Sequence, residues 1–438
     1  MKTKFTRDEL LMVIFAIIFI WNIGLLRILP FDIFLSVYPG RYFSALLIIM
    51  SFFIWLPKGV YRTNYCFWMI FGIYFFLSLE LIASIIRYNQ SILRLSTQNV
   101  HWLFLSLVYF ILMVSEKIDI KKLYKFIVMT TLMTLFIRTL CWGFYNLKGI
   151  VLFPNVLGEF GTLWTRNGLV RFSSTATGSL SFILLFYHLF TCQGKKKQTQ
   201  KFICALLLIC IFLYDYFIYQ SRAECIICIV TAVSMYLTLK RHTINSYTRK
   251  IIIIFFAIMI LAQTGLIQTV IGSFDVNAES GGTTRSRIYA LDYFYNMYRS
   301  NPILGFGMLD TSSDYTLKLW TGPDGNRYLD DLGVIGMFMQ YGMVGAGIFL
   351  AVFLRMFYLW ILAKNENRKF LLGGLLVLFC LMSILSSSPF DPQRIIVLPL
   401  MFGLFEFSNH DKKNKLNHKK FCEDVEFGYK YMKKRTHI

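Results

Sequence analysis

Charge is scarce in this chain. Only 16% of its 438 residues are Asp, Glu, Lys or Arg, while 56% are hydrophobic and 17% aromatic. That balance excludes an ordinary soluble globular protein. Acid is the scarcer sign, with 24 Asp and Glu against 45 Lys and Arg and a formal net charge of +21. In a soluble chain such an excess would point to nucleic acid; here the placement of the basic residues explains it better, and no nucleic-acid partner is expected. No small-residue cleavage pattern follows MKTKFTRDEL and its apolar run, which reads as an uncleaved first helix rather than a signal peptide. No internal repeat or low-complexity segment is visible. None of the nine cysteines falls in a stretch expected to be external, which excludes a disulfide framework and leaves buried thiols. Cys225-Ile-Ile-Cys228 has metal-ligand spacing, yet it lies in an apolar run with no second pair, so no metal is expected.

What is present is a series of apolar runs near the ~20 residues that cross a bilayer. The reading is an all-α polytopic membrane protein. About twelve spans are expected, at 10–26, 42–56, 66–86, 100–114, 123–142, 172–192, 202–219, 223–240, 251–272, 334–362, 370–388 and 394–407. The chain divides into helices 1–9 (1–272), a long external loop between spans 9 and 10 that carries short helices (273–333), helices 10–12 (334–407) and a basic tail (408–438). Starting inside, the alternation puts PKGVYRTNY, SEKIDIKK, QGKKKQTQK, KRHTINSYTRK, AKNENRK and the tail on one side. That side holds 29 of the Lys and Arg and the other 14. The positive-inside rule makes the richer side, with both termini, cytoplasmic.

The two sides differ in kind as well. Of the 14 external basic residues 12 are Arg, at 27, 41, 87, 94, 166, 171, 222, 285, 287, 299, 327 and 394. Single Arg residues commonly anchor helix ends at headgroups. A set so poor in Lys points instead to an anionic ligand, because a planar guanidinium grips phosphate or carboxylate in two places. Charges inside lipid are costly and mark function or packing. Glu80, Arg138 and Asp215 map to the outer halves of their helices, either as mutual ion pairs or as the lining of an outward cavity. The connector 143–171, with Trp164, Arg166 and Arg171, reads as a second, smaller lid.

The loop 273–333 is the one long stretch that is neither apolar nor a short basic connector. Loops beyond about 12–15 residues tend to be functional or disordered, and the helical spacing of its tyrosines argues for folded structure. Thr283-Thr284-Arg285-Ser286-Arg287 precedes IYALDYFYNMYR, a helix expected over 286–299 whose start suits an anion. Tyr289 and Tyr293 share one face of it, suited equally to stacking on sugars or to a membrane-interface belt. Asn301-Pro302-Ile303-Leu304-Gly305-Phe306-Gly307 ends the helix. No histidine lies in an external loop; His101, at the outer end of span 4, is nearest.

At these residues the sequence resembles the O-antigen polymerase/ligase family of bacterial envelope enzymes. Gln220-Ser221-Arg222-Ala223 is similar to that family's Ser/Thr-Arg-Gly turn, with Ala in place of Gly. Ser286-Arg287, the aromatic helix and Pro302-Ile303-Leu304-Gly305-Phe306-Gly307 resemble its Arg…Pro-Leu-Gly-x-Gly pattern. Gly342-Met343-Val344-Gly345 resembles the Gly-x-x-Gly that opens the helix after the loop. Counting back from it puts Asp330 where the ligase branch has His, and Leu332 where it has Asn, which favours the polymerase branch. The resemblance covers about half the chain.

It implies an inverting glycosyltransferase without cofactor on the outer face of the bacterial cytoplasmic membrane. Its substrates would be undecaprenyl-diphosphate-linked oligosaccharides, and its expected partners a flippase and a chain-length regulator. Arg222, Arg285 and Arg287, with Arg171 as a fourth, would hold the diphosphate. Asp330, or its neighbour Asp331, would be the base. The alternatives are a flippase of lipid-linked oligosaccharide and a ligase-type transferase. The long loop has no counterpart in the other half, which speaks against an inverted-repeat transporter.

Overall fold

The computed structural model describes residues 7–34, 37–55, 65–117, 120–157, 165–166, 168–191, 198–238, 282–325, 327–384 and 389–407. It is 80% helical. Among the described residues, five helices are long and apolar enough to cross a membrane: Cys66–Tyr88, Ile120–Lys148, Gln198–Ile218, Val334–Leu362 and Glu366–Ile384. Ile92–Gln98 and Val100–Leu112, bent by 50°, make a sixth if counted together. The expected ninth span, 251–272, and the basic tail lie outside the described residues. The sixth and twelfth spans correspond to the shorter apolar helices Gly178–Thr191 and Val397–Phe407.

Gly178–Thr191 is short because it is central. Four helices pack on it: Ile120–Lys148, Gln198–Leu213, Arg222–Thr238 and Glu366–Ile384. Gly178 to Leu185 are all buried, as expected of a helix apolar on every side. Arg355, inside the helix Val334–Leu362, pairs in two places with buried Glu406, at 2.6 and 3.0 Å. Among the described residues the all-helical expectation has one exception, a hairpin of two-residue strands pairing Thr165–Arg166 with Leu169–Val170. It lies in the connector read as a second lid, whose Trp164 lies outside the described residues.

The loop helix runs Gly282–Arg299, starting four residues ahead of the expected position. Ala290 and Phe294 form a small separate core with Phe306, Leu309, Leu329 and Met339. The rings of Phe294 and Phe306 stack at 5.5 Å. The side chains of Thr283 and Thr284, expected to cap this helix, lie outside the described residues.

The loop is fastened at two places. Its first fastening is to a break in Val334–Leu362, where Gly342 adopts φ 57° and ψ −143°. Such a break strips helical partners from the carbonyls one turn back and from the amides beyond it, and buried backbone groups must find others. Phe306 N donates to Met339 O at 3.2 Å and Gly307 N to Gln340 O at 2.7 Å. In return Met343 N donates to Pro302 O at 3.1 Å. The Pro-Ile-Leu-Gly-Phe-Gly and Gly-Met-Val-Gly motifs are thus two halves of one backbone clasp.

The second fastening runs along residues 84–98. Ser84 Oγ accepts from Met308 N at 2.8 Å, and Arg87 donates to Gly305 O at 2.8 Å. Tyr88 donates to Phe306 O at 2.7 Å and Gln90 to Met308 O at 3.0 Å. Gln98 donates to Asp310 Oδ1 at 2.9 Å and accepts from Thr311 N at 3.2 Å. An extended chain with no strand partner has its polar groups satisfied by one helix end.

The clasp requires glycine on both sides. Gly305 has φ 64°, and a Cβ there would overlap the Met339 and Gln340 carbonyls. A Cβ on Gly342 would overlap the backbone of Ile303 and Gly305. Backbone cannot swing aside as a side chain can, and φ > 0 alone costs roughly 1–3 kcal/mol for other residues. Gly305→Ala and Gly342→Ala should therefore each cost about 2 kcal/mol or more and expose the loop to protease. Gly347→Ala, where a Cβ meets nothing within 4 Å, should leave thermal unfolding in detergent unchanged. Equal stability of all three variants would refute the clasp.

Candidate functional site

Beneath the loop lies a cavity of about 420 Å³. Four parts of the chain wall it: the start of Val37–Trp55, the bend at 98–102, the loop with the helix after it, and the turn 390–393. Arg41, His101, Trp102, Trp320, Gln340 and Asp391 carry its chemistry. His101 Nδ1 lies 3.3 Å from Gln98 O. A carbonyl only accepts, so Nδ1 holds the proton and Nε2 is the basic nitrogen. Trp102 packs edge-on against Tyr341 at 5.8 Å.

A gathering of guanidiniums adjoins the cavity. The helix Gln198–Leu213 ends in a π-helical turn, Tyr214–Ile218, and the chain reverses at Gln220 with φ 52°. Irregular backbone of this kind leaves carbonyls for side chains to claim. Arg166 donates to Gln220 O at 2.8 Å, and Arg171 donates to Tyr219 O at 3.0 Å with its guanidinium 5.7 Å from the Tyr219 ring centre. The charge of Arg166 reaches both Arg171 and Arg222. Three like charges at one turn favour a bound anion.

Arg394 links the turn to the cavity. It donates to Tyr219 Oη at 3.2 Å and pairs with Asp391, a cavity residue, at 3.5 Å. Burial opposes its charge, yet Tyr219, Asp391 and Glu224 more than offset that and hold its pKa above the usual Arg value. Asp331 stands within electrostatic reach of Arg394, Asp391 and Arg287. Asp331 is an exposed residue, yet partial desolvation by its surroundings raises its pKa above the usual carboxylate value, with Arg287 and Arg394 opposing the rise.

The sequence-predicted residues divide accordingly. Arg171 and Arg222 meet at the Gln220 turn; Arg287 is exposed on the loop helix, within electrostatic reach of Asp331. Arg285 is exposed on the loop helix. Asp330 lies in the turn Leu329–Leu332, between cavity residues Leu329 and Gly333; its side chain lies outside the described residues. Arg327 engages Asp324 at 2.8 Å and lies over Tyr293 at 5.0 Å.

None of the five residues expected to face a cavity lines this one. Glu80, Arg138 and Asp215 are buried in the bundle. Arg138 donates to Ser173 O at 2.5 Å and Ser173 Oγ at 2.8 Å, so its work is to hold an extended segment. A Cβ on Gly307 would fall 3.0 Å from Glu80 Oε1, which places Glu80 directly against the loop. Tyr289 is 56% exposed, and Tyr293 donates to Leu319 O at 3.3 Å inside the loop core. Sequence reasoning missed His101 as a cavity residue, and Asp391 altogether. Arg41, Arg166 and Arg394 carried a signal only as members of the external Arg set.

Cys225 and Cys228 are buried free thiols, and no group of metal-ligating side chains occurs among the described residues. No protein-family model matches the chain, and no curated protein matches it in sequence.

Asp310 offers a test of the loop anchorage by pH. It is buried, which alone would raise its pKa; hydrogen bonds from Ser312 and Gln98 and the charge of Arg94 bring the net shift below the usual value. A carboxyl depressed in the folded state stabilises it above the unfolded value, about 3.9, and that contribution fades as pH falls toward the folded value. Loop protection from protease should therefore weaken below about pH 4. Asp310→Asn should lower it at neutral pH and flatten this acid dependence.

Proposed function

We propose that this chain is a polysaccharide polymerase that joins oligosaccharide repeat units carried on undecaprenyl diphosphate at the outer face of a bacterial cytoplasmic membrane. About twelve spans with both termini cytoplasmic fit the Lys and Arg distribution. The observation that carries the reading is the junction at Asp391–Arg394, which joins a turn crowded with guanidiniums to an aromatic and polar cavity. A glycosyl transfer from a lipid diphosphate needs those two neighbours: one place for a departing dianion, one for a sugar.

In this reading the acceptor hydroxyl attacks the anomeric carbon of the donor as the bond to the diphosphate oxygen breaks. The electron pair leaves with the diphosphate, whose growing charge Arg171, Arg222 and Arg287 stabilise. Asp330 or Asp331, beside the cavity wall, takes the hydroxyl proton. The raised pKa of Asp331 suits that task.

Arg222→Lys keeps charge and loses two-pronged geometry, so it should abolish polymer while single repeat units accumulate on carrier lipid outside the membrane. Loss of the general base, by Asp330→Asn or Asp331→Asn, should slow transfer roughly 10²–10⁴-fold. Mass spectrometry of lipid-linked glycans from cells carrying each variant checks both. Repeat units retained on the cytoplasmic side would identify a flippase instead, and full polymer from Arg222→Lys would reduce that residue to a membrane anchor.

A further inference from the structure

We infer that the cavity seats an acidic sugar, with its carboxylate on Arg41. Arg41 is only 8% exposed and lines the cavity. Its guanidinium lies 5.6 Å from the Tyr38 ring centre, and among the described residues it makes no hydrogen bond and no ion pair. Its charged neighbours at longer range are Asp391 and Arg27. Asp391 is engaged elsewhere, accepting from Gln393 N at 2.8 Å and pairing with Arg394. A largely buried guanidinium with no hydrogen bond among the described residues is expensive, and such a group is retained where a ligand completes it.

The remaining walls describe the rest of the ligand. Trp102 and Trp320 offer flat apolar faces of the kind that stack on a pyranose. Gln340 has a side-chain amide with no hydrogen bond among the described residues, and His101 presents Nε2 as an acceptor for a hydroxyl. A volume near 420 Å³ falls in the range of about 300–1,000 Å³ usual for small-ligand sites. A diphosphate would fit worse. One guanidinium with Asp391 close by suits a single negative charge, and the three-Arg turn is the better seat for a dianion.

Calling this sugar part of the acceptor rests on the polymerase reading; the binding site itself does not. The test therefore measures binding and not polymer. Purified full-length protein in lipid nanodiscs is titrated with methyl glucuronide, methyl galacturonide, methyl glucoside and inorganic diphosphate, with saturation-transfer NMR as readout. At least one uronide should bind about tenfold more tightly than the glucoside, the worth of one charge-assisted pair. Arg41→Gln should erase that preference while glucoside binding persists, and Arg41→Lys should keep part of it. Equal or absent binding of uronides and glucoside by the wild type would overturn the inference without any variant having to fold. Diphosphate displacing the uronide in an Arg41-dependent manner would overturn it too, assigning Arg41 to the lipid anion. Either failure leaves the glycan-accumulation test of the polymerase reading standing.

Discussion

The arrangement depends on one broken helix. Where Val334–Leu362 departs from helical geometry at Gly342, it leaves backbone groups that only another backbone can approach closely enough to satisfy. Residues 302–307 do so, through three main-chain hydrogen bonds in both directions. Everything that matters nearby is placed by that clasp. Leu309 and Thr311, which wall the cavity, follow it directly; Met337, Gln340 and Tyr341 precede the break on the other side. Main-chain bonding is indifferent to side-chain identity except for the glycines, so the loop can vary while its attachment stays rigid.

Charge inside the bundle is managed by structure before chemistry. Arg355 and Glu406 neutralise each other in two places, and a buried pair of this kind favours one packing over others more than it adds stability. Arg138 spends its donors on Ser173, at the start of the extended run that leads into the central helix. Arg138, which sequence alone made conspicuous inside the membrane, therefore holds the frame. The guanidiniums at 166, 171 and 222 are different, because the structure gathers like charges at one turn.

How much of this was legible in the sequence follows from the range of each interaction. The loop helix was legible because helical spacing is local, and the structure differs only at its start. Both glycine motifs were legible as motifs. Their partnership was not, since 302–307 and 339–343 meet through main-chain atoms that no residue pattern reports. Span counting reads every apolar run alike. It treats an apolar run as lipid-facing, but Gly178–Thr191 is apolar because protein surrounds it, and it need not match a bilayer's thickness. The Arg-over-Lys bias singled out a set and could not assign its members. Arg41 carries no signal of its own within the twelve, because only the fold brings residues 38–41 beneath a loop nearly three hundred positions later.

The segment 389–394 shows how the two halves of the site become one. It contributes Phe390 and Asp391 to the cavity wall, then turns so that Arg394 reaches Tyr219 on the guanidinium turn. Asp391 faces both ways, near Arg41 across the cavity and paired with Arg394 behind it. An anion arriving at either place changes the field at the other through this one carboxylate, at distances where protein screens charge weakly. Filling the cavity with a carboxylate would neutralise Arg41 and free Asp391 to lean on Arg394. Departure of a dianion from the Gln220 turn would leave Arg394 more dependent on Asp391. On the proposed reading, occupancy of one seat would therefore be felt at the other through this carboxylate.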